Sequence, residues 1–312
     1  MVELTENVKN RFLTGYKIPI TITVEPYFTD RLKSYDPFYD CISKYDLFKH
    51  EMTKYKTEEE FFSQYTNTKE AIMDYIKSTE GYNNFISSNM NWEVDDRYKH
   101  LPSKDIYHHD NVGKKFLSVD MVKANFSSMY KYDPTIFKNI STWNEFVATF
   151  TDSQYFIDSK YIREVVFGNC NPKRQVTYEK YLMSQLLSSI NSIIFDSPDV
   201  VFFSNDEFIF DITNYEDVDK LVEFINNYTE IPVRVEIFTL YGIYNDVTNI
   251  GYLKKFDDGN VVVKKSTQTF MPCIIRTLRG EEITDSDLVF IFEKNLCKLM
   301  NKPNVIIRDT SI

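Results

Sequence analysis

Only eight glycines occur in the 312 residues, so the chain is poor in the loops that let a backbone wrap a phosphate. Around Gly168, with Lys173 and Arg174 following, the glycine spacing of a P-loop is absent. The four cysteines, Cys41, Cys170, Cys273 and Cys297, make no CxxC pair, which argues against a zinc ribbon or a dense disulfide framework and fits a reducing compartment. No apolar run approaches the roughly 18 residues that a membrane-spanning helix needs. The segment from Met1 to Arg11 is charged and lacks the apolar stretch of a signal peptide. A cytoplasmic protein with no membrane contact is the expectation. Positive charge is scarce as well. A formal net charge of -10 argues against a protein that coats nucleic acid by bulk attraction, yet leaves room for a local basic groove. Lys160, Arg163, Lys173, Arg174 and Lys180 form one basic stretch, and Lys254, Lys255, Lys264, Lys265, Arg276 and Arg279 another. Taken alone, each also reads as solvated faces of ordinary elements.

What the chain has in abundance is aromatic rings. With 25 Phe and 22 Tyr and a 43% hydrophobic content, it can fill a core for one large domain or two to three small ones. No internal repeat or low-complexity tract is present, which excludes solenoids and disordered scaffolds.

The β-branched run Ile18 to Val24 predicts a strand stopped by Pro26, followed by helices to about Met90. Phe61, Tyr65, Ile72, Met73 and Ile76 share one helical face. Residues 1–110 read as a helical N-terminal region, with a polar connector over Asn91 to Asn111. From Lys115 strands and helices alternate. The run Phe116 to Val119 ends in Asp120, where a helix is expected to begin, and Tyr178, Leu182, Leu186, Ile190 and Ile193 keep helical spacing. Val200 to Phe203 and Phe208 to Ile212, read as strands buried on both faces, flank Ser204, Asn205, Asp206 and Glu207 as a β-hairpin with acids at its tip. Asn214 can cap a helix with Val218, Leu221, Val222 and Ile225 inward, and Val233, Val235 and Ile237 alternate as a strand. The order of residues 111–245 is thus strand, helix, hairpin, helix, strand. Over 246–312, a second hairpin turning at Asp257 to Asn260 and a closing helix from about Asp285 to Met300 are expected. The fold class is α+β.

Phosphoryl transfer to a nucleotide uses two divalent cations, one activating the attacking hydroxyl and one neutralising the leaving pyrophosphate. Magnesium prefers hard carboxylate oxygens. An aspartate ending a central strand and acids on the tip of a neighbouring hairpin hold such a pair economically, and Asp120, Asp206 and Glu207 have this placement. Singly, each also reads as a helix cap or a solvated turn residue.

The run SNDEFIFDI, Ser204 to Ile212, resembles motif C of family A DNA polymerases, with Asn205 in place of the histidine. LSVDMVKANFSSM, Leu117 to Met129, resembles their motif A, with Asp120 matching the metal-binding acid and Asn125 standing where a glutamate helps exclude ribose. KYIREVVFG, Lys160 to Gly168, is similar to the motif B helix. There Arg163 would take the place of the lysine that meets the triphosphate, Asn171 that of the tyrosine and Ser159 that of the first arginine.

The resemblance implies a polymerase-like palm using Mg2+, or Mn2+ as an alternative, with Asp120, Asp206 and Glu207 as catalytic metal ligands. It implies nucleotide binding by Lys160, Arg163, Asn125, Phe167 and Gly168, and nucleic-acid binding by Lys173 and Arg174. Nucleoside triphosphates, a nucleic acid primer and template, and accessory replication proteins would be the partners. The 1–110 region and the 246–312 hairpin-and-helix extension would grip the duplex as thumb-like elements. Arg163 lies 43 residues after Asp120 and 43 before Asp206, so any fingers are minimal. Family B polymerases, which keep motif B close to motif C, suit that spacing better. GGDEF-type cyclases resemble the hairpin too, although Ser204 and Asn205 replace their two glycines. The resemblance covers about residues 115–243 and, with the composition, points to a phage or virus as the source.

Three readings follow: a compact template-directed DNA polymerase, a template-independent transferase or GGDEF-like nucleotide cyclase, and a non-catalytic nucleic-acid-binding palm module. Three further features weigh little. His108 and His109 beside Asp105 and Asp110 lack a second ligand pair. Cys170 has no histidine nearby in sequence. Tyr161, Phe167 and Tyr178 could stack on bases or fill the core.

Overall fold

The computed structural model describes residues 4–89, 91–94, 96–194 and 196–310. The protein is α+β, as expected. Six helices come first: α1 (Glu6–Tyr16), α2 (Tyr27–Tyr39), α3 (Cys41–Met52), α4 (Glu58–Ser78), α5 (Glu80–Ser87) and α6 (Asp96–Lys99). Local chemistry starts several of them. Thr5, Thr57 and Thr79 each accept a backbone N–H two or three residues into the following helix, and Glu58, Glu59 and Glu60 meet the positive end of the α4 dipole. Phe61, Tyr65, Ile72 and Ile76 form the buried face of α4. Each such side chain removed from water stabilises the fold by about 1.5–3 kcal/mol.

Ile18, Ile20 and Ile22 are buried alternately, as a strand would bury them, but the segment joins no ladder. It crosses the helical core in extended form, with the Ile18 N–H donating to the Leu13 carbonyl at 3.0 Å and that of Ile20 to the Ile18 carbonyl at 2.9 Å. The expected strand at 18–24 is therefore replaced by a buried extended crossing. β-Branched alternation reports two buried-and-exposed faces, and a strand partner is a separate requirement.

The second part opens with β1 (Lys115–Met121), followed by α7 (Ala124–Tyr132), α8 (Trp143–Ala148), α9 (Gln154–Asp158), α10 (Lys160–Gly168) and α11 (Pro172–Ile193). Then come β2 (Val200–Phe203), β3 (Glu207–Asp211), α12 (Val218–Tyr228), β4 (Val233–Asn245), β5 (Thr248–Phe256), β6 (Val261–Lys264) and α13 (Met271–Leu278). The chain closes with β7 (Val289–Phe292), β8 (Asn295–Lys298) and β9 (Val305–Arg308). The main sheet runs β2-β3-β1-β4-β5-β6, with β9 on the far half of β4, and its pairings are antiparallel. Strands β1 to β4 with α11 and α12 thus realise the strand, helix, hairpin, helix, strand order, a split β-α-β arrangement.

The two faces of this sheet differ. Leu117, Val119, Met121, Phe208 and Phe210 pack with Met183, Leu187 and Ile190 of α11 and with Leu221 and Ile225 of α12. On the opposite face Phe116, Ile209, Phe238 and Leu240 lie under Ile106 and Tyr107 of the connector. A third core joins the N-terminal helices to α7–α10 and reaches Tyr178, Met271 and Val289.

Several local expectations change. Helix α12 begins at Val218 after Asp217, so Asn214 does not cap it. Strand β2 is an edge strand and only half-buried along most of its length, whereas Phe208, Ile209 and Phe210 of β3 are buried on both faces. Residues 285–300 form a 3-10 turn and the β7–β8 hairpin instead of a helix. Glu293 and Lys294 both take positive φ, 47° and 66°, the two-residue turn geometry that matches strand twist. Strands β5, β6 and β9, from the 246–312 segment, extend the sheet that β1–β4 begin.

Candidate active site

Asp120 is the penultimate residue of β1, opposite Glu207 of β3 on one side and Arg234 of β4 on the other. Strand alternation puts Phe116, Ser118 and Asp120 on the face away from α11 and α12. The row Glu207, Asp120, Arg234 thus lies across the end of the sheet, past the part that Ile106 and Tyr107 cover.

The turn that follows β2 is built by its own side chains. The Ser204 N–H donates to the Glu207 carbonyl at 2.8 Å, the Glu207 N–H donates to Ser204 Oγ at 3.2 Å, and Ser204 Oγ donates to Asp206 Oδ1 at 3.2 Å. A Met121 N–H bond of 2.8 Å to the Asp206 carbonyl pins this tip to the end of β1. Glu207 Oε1 accepts from Ser118 Oγ at 2.6 Å. Asp120 Oδ2 accepts from Arg234 at 2.8 Å, and the same guanidinium reaches Glu236 at 3.1 Å. Lys254, 5% exposed, lies 4.2 Å from the centre of the Phe238 ring and 3.9 Å from Glu236.

Burial is the main cause that pushes the Asp120 carboxyl up to about 6. Arg234 opposes it, while Glu207 and Asp206 add to it. The group is poised between charged and neutral forms.

A cleft of about 440 Å³ opens beside this row. Asp120, Asp206, Glu164 of α10 and Glu179 of α11 contribute carboxylates to its lining, and Lys123, Lys160 and Arg163 contribute cations. Burial and the Arg163 charge lower the Lys123 ammonium, whose Nζ donates to Asn144 Oδ1 at 2.6 Å. Burial lowers Arg163 as well, and its Nε is buried without a hydrogen-bond partner.

Of the residues expected at the site, Asp120, Asn125, Lys160, Arg163, Phe167, Gly168 and Asp206 line this one cleft. Glu207 stands beside Asp120 on the open sheet face. Lys173 and Arg174 do not line the cleft. Lys173 is exposed on the first turn of α11, and Arg174 donates to the carbonyl and hydroxyl of Ser88 and lies over Trp92 at 5.1 Å. Phe167 and Tyr178 are core residues with little exposure, and Tyr161 packs under Arg11. Cys170 is buried, with its thiol pushed up to about 11 by that burial.

Three functional candidates are not marked by the sequence, Lys123, Glu179 and Arg234, whereas Lys254 belongs to the second basic stretch. Glu179 left an indirect signal. Gln175, Glu179, Met183 and Leu187 recur at four-residue steps and are all buried, so a carboxylate interrupts the inward face of α11. Arg234 could be read only once the register of β1 against β4 was known.

The lining carboxylates Asp120, Asp206 and Glu179 are the hard oxygen donors that a divalent cation such as magnesium prefers. Among the described residues, no three His, Cys, Asp or Glu side chains converge closely enough to hold a metal ion. Two of the carboxylates are turned to other partners, Asp120 to Arg234 and Glu207 to Ser118. The exposed His108 and His109 lie 4.0 and 3.7 Å from Asp110 alone. No helix among the described residues is long and apolar enough to cross a membrane. The chain matches no family model, and no curated protein or solved structure is detectably similar to it.

Proposed function

We propose that the protein is a nucleotidyltransferase with a polymerase-like palm, most simply a compact template-directed DNA polymerase of the cytoplasm. The observation that carries this reading is one cleft whose lining brings the carboxylates of Asp120, Asp206 and Glu179 together with the cations Lys123, Lys160 and Arg163, the last beside Glu164. A nucleoside triphosphate brought there would set its phosphates against the cations, with its reacting phosphorus towards the acids. Asp120, Asp206 and Glu207 would hold Mg2+ or Mn2+, which when bound supplies charge neutralisation at the transferring phosphoryl group and activates the attacking hydroxyl. Arg163 and Lys160, on one face of α10, orient the triphosphate. Arg234 favours the charged form of Asp120 against the effect of burial and holds the carboxylate across the row until a stronger cation competes for it. Asn125 lines the cleft as an amide where family A polymerases carry an acid, so sugar choice is relaxed in this reading.

Two observations favour other readings of the same cleft. The wall between α7 and α11 consists of α8, α9 and α10, of six, five and nine residues, which leaves little to clasp a template and suits a template-independent transferase or a GGDEF-like cyclase. The 2.8 Å bond from Arg234 to Asp120 suits a palm that binds nucleic acid without catalysis.

Incorporation of nucleotides onto a labelled primer separates these. With Mg2+ or Mn2+, extension on a templated primer that Asp206→Ala abolishes supports the polymerase. Extension of single strands alone supports the transferase. Cyclic dinucleotide products would identify a cyclase, and no turnover under either metal leaves the binding module.

A further inference from the structure

Glu179 is anomalous within its own helix. Its side chain is 6% exposed, yet among the described residues it makes no hydrogen bond and no ion pair. Gln175, one turn earlier on the same face, is equally buried but donates to the carbonyls of Phe167 and Cys170. The fold therefore satisfies one polar group on this face and leaves its neighbour open. That neighbour lines the cleft with Asp206 and Asp120, and the charge it feels most strongly is the like charge of Asp206. A buried carboxylate facing another carboxylate is destabilising unless a cation compensates both. Among the described residues, the cations that line the cleft form no ion pair with it: Lys123 turns to Asn144, and Glu164 is the carboxylate felt by Arg163.

We infer that Glu179 is an additional carboxylate of the cation site, reaching from α11 to hold a divalent metal ion together with Asp206. The identity of the ligand rests on the metal-dependent reading above, whereas the placement of an unpartnered carboxylate in the cleft is independent of it. The role is binding, so it is visible without turnover. Unlike the other acids of the site, Glu179 comes from a helix that also carries the wall against which the substrate would lie. Metal binding would thereby tie α11 to the tip of the β2–β3 hairpin.

The test is Mn2+ binding to the full chain, free of nucleotide, followed by calorimetry and by the fraction of free Mn2+ in electron paramagnetic resonance. Glu179→Gln is expected to weaken Mn2+ binding about tenfold or more. Its metal-free melting temperature should be equal to or higher than that of the parent, and the Mn2+-induced rise in melting temperature should shrink. Affinity unchanged in Glu179→Gln, with wild-type binding intact, overturns the inference and leaves the metal-dependent reading standing. A lowered metal-free melting temperature with full affinity also overturns it, because that is the signature of a packing role. If the wild-type chain binds no Mn2+, with or without a non-hydrolysable triphosphate, both the inference and the metal-dependent reading fall. Should Glu179→Gln fail to fold, Glu179→Asp keeps the charge on a shorter arm, and its expected affinity lies below that of the wild type.

Discussion

The charges where α2 meets α13 and those that line the cleft are built on opposite principles. Where α2 meets α13 and the turn before β7, every charge is answered. Arg31, 2% exposed, donates to Asp287 at 3.0 Å and to the carbonyls of Ser286 and Val289 at 2.6 and 3.2 Å. Asp287, fully buried, also accepts from Arg276 at 3.0 Å and from the N–H and hydroxyl of Thr284 at 2.8 Å. Arg276 goes on to Asp30 at 3.0 Å and Glu281 at 2.8 Å. In the cleft the charges are left less committed: among the described residues Glu179 lines the cleft with no hydrogen bond or ion pair, Arg163 Nε is buried without a partner, and Asp120 shares one arginine with Glu236. A saturated network spends its charges on holding elements together. An unsaturated one keeps them available for something that arrives from solution.

The sharpest way to break that comparison is to remove one acid from each group. Asp206→Ala should reduce nucleotide incorporation by about a thousandfold or more, as expected when several kcal/mol of charge stabilisation is lost, with the urea midpoint little changed. Asp287→Ala should do the reverse. It removes the buried carboxylate that Arg31 and Arg276 share, at a cost of about 3–5 kcal/mol in urea unfolding, while the folded fraction keeps its activity. Activity lost only through unfolding in both variants would erase the distinction.

Acidity sharpens it further. Burial pushes the carboxyls of Asp120 and Glu179 up to about 6 and about 7, whereas both titrate near about 4 when the chain is unfolded. The folded state binds these protons more tightly. The stability they contribute is fully present below about pH 4 and is lost as pH rises through about 6 to 7. In metal-free buffer, the urea midpoint of the wild type should fall across that window relative to Asp120→Asn/Glu179→Gln, and a parallel pair of curves would refute the assignment. The smallest effect is expected at Arg234, 59% exposed, where Arg234→Ala should change stability by no more than about 1 kcal/mol. A larger loss would mean that Arg234 belongs to the saturated kind of network.

The hairpin carrying Asp206 and Glu207 was legible in the sequence because two short apolar runs flanked a polar tetrad, and hydroxyl and carboxyl side chains close such a turn locally. So was Asp120, since an apolar run ending in an acid marks a strand end. Asn125, Lys160, Arg163, Phe167 and Gly168, which the resemblance to polymerase motifs A and B grouped, line one cleft. What was illegible depended on partners distant in sequence. Ile18 to Val24 alternate like a strand but pack among helices, and Arg174 reads as a free cation until Ser88 and Trp92 are placed around it. The β7–β8 hairpin was mistaken for a helix because Leu288, Ile291 and Phe292 also fit helical spacing, and the decisive left-handed pair is Glu293 and Lys294. Glu179 was hidden inside an otherwise ordinary apolar stripe.

Anomalous scattering of Mn2+ from crystals soaked with a non-hydrolysable deoxynucleoside triphosphate would locate metal and nucleotide together. Manganese is expected between Asp120 and Asp206, with the triphosphate running towards Lys160 and Arg163. Manganese absent from the cleft while the triphosphate binds elsewhere, or a cleft that takes up neither, would contradict the metal-dependent reading.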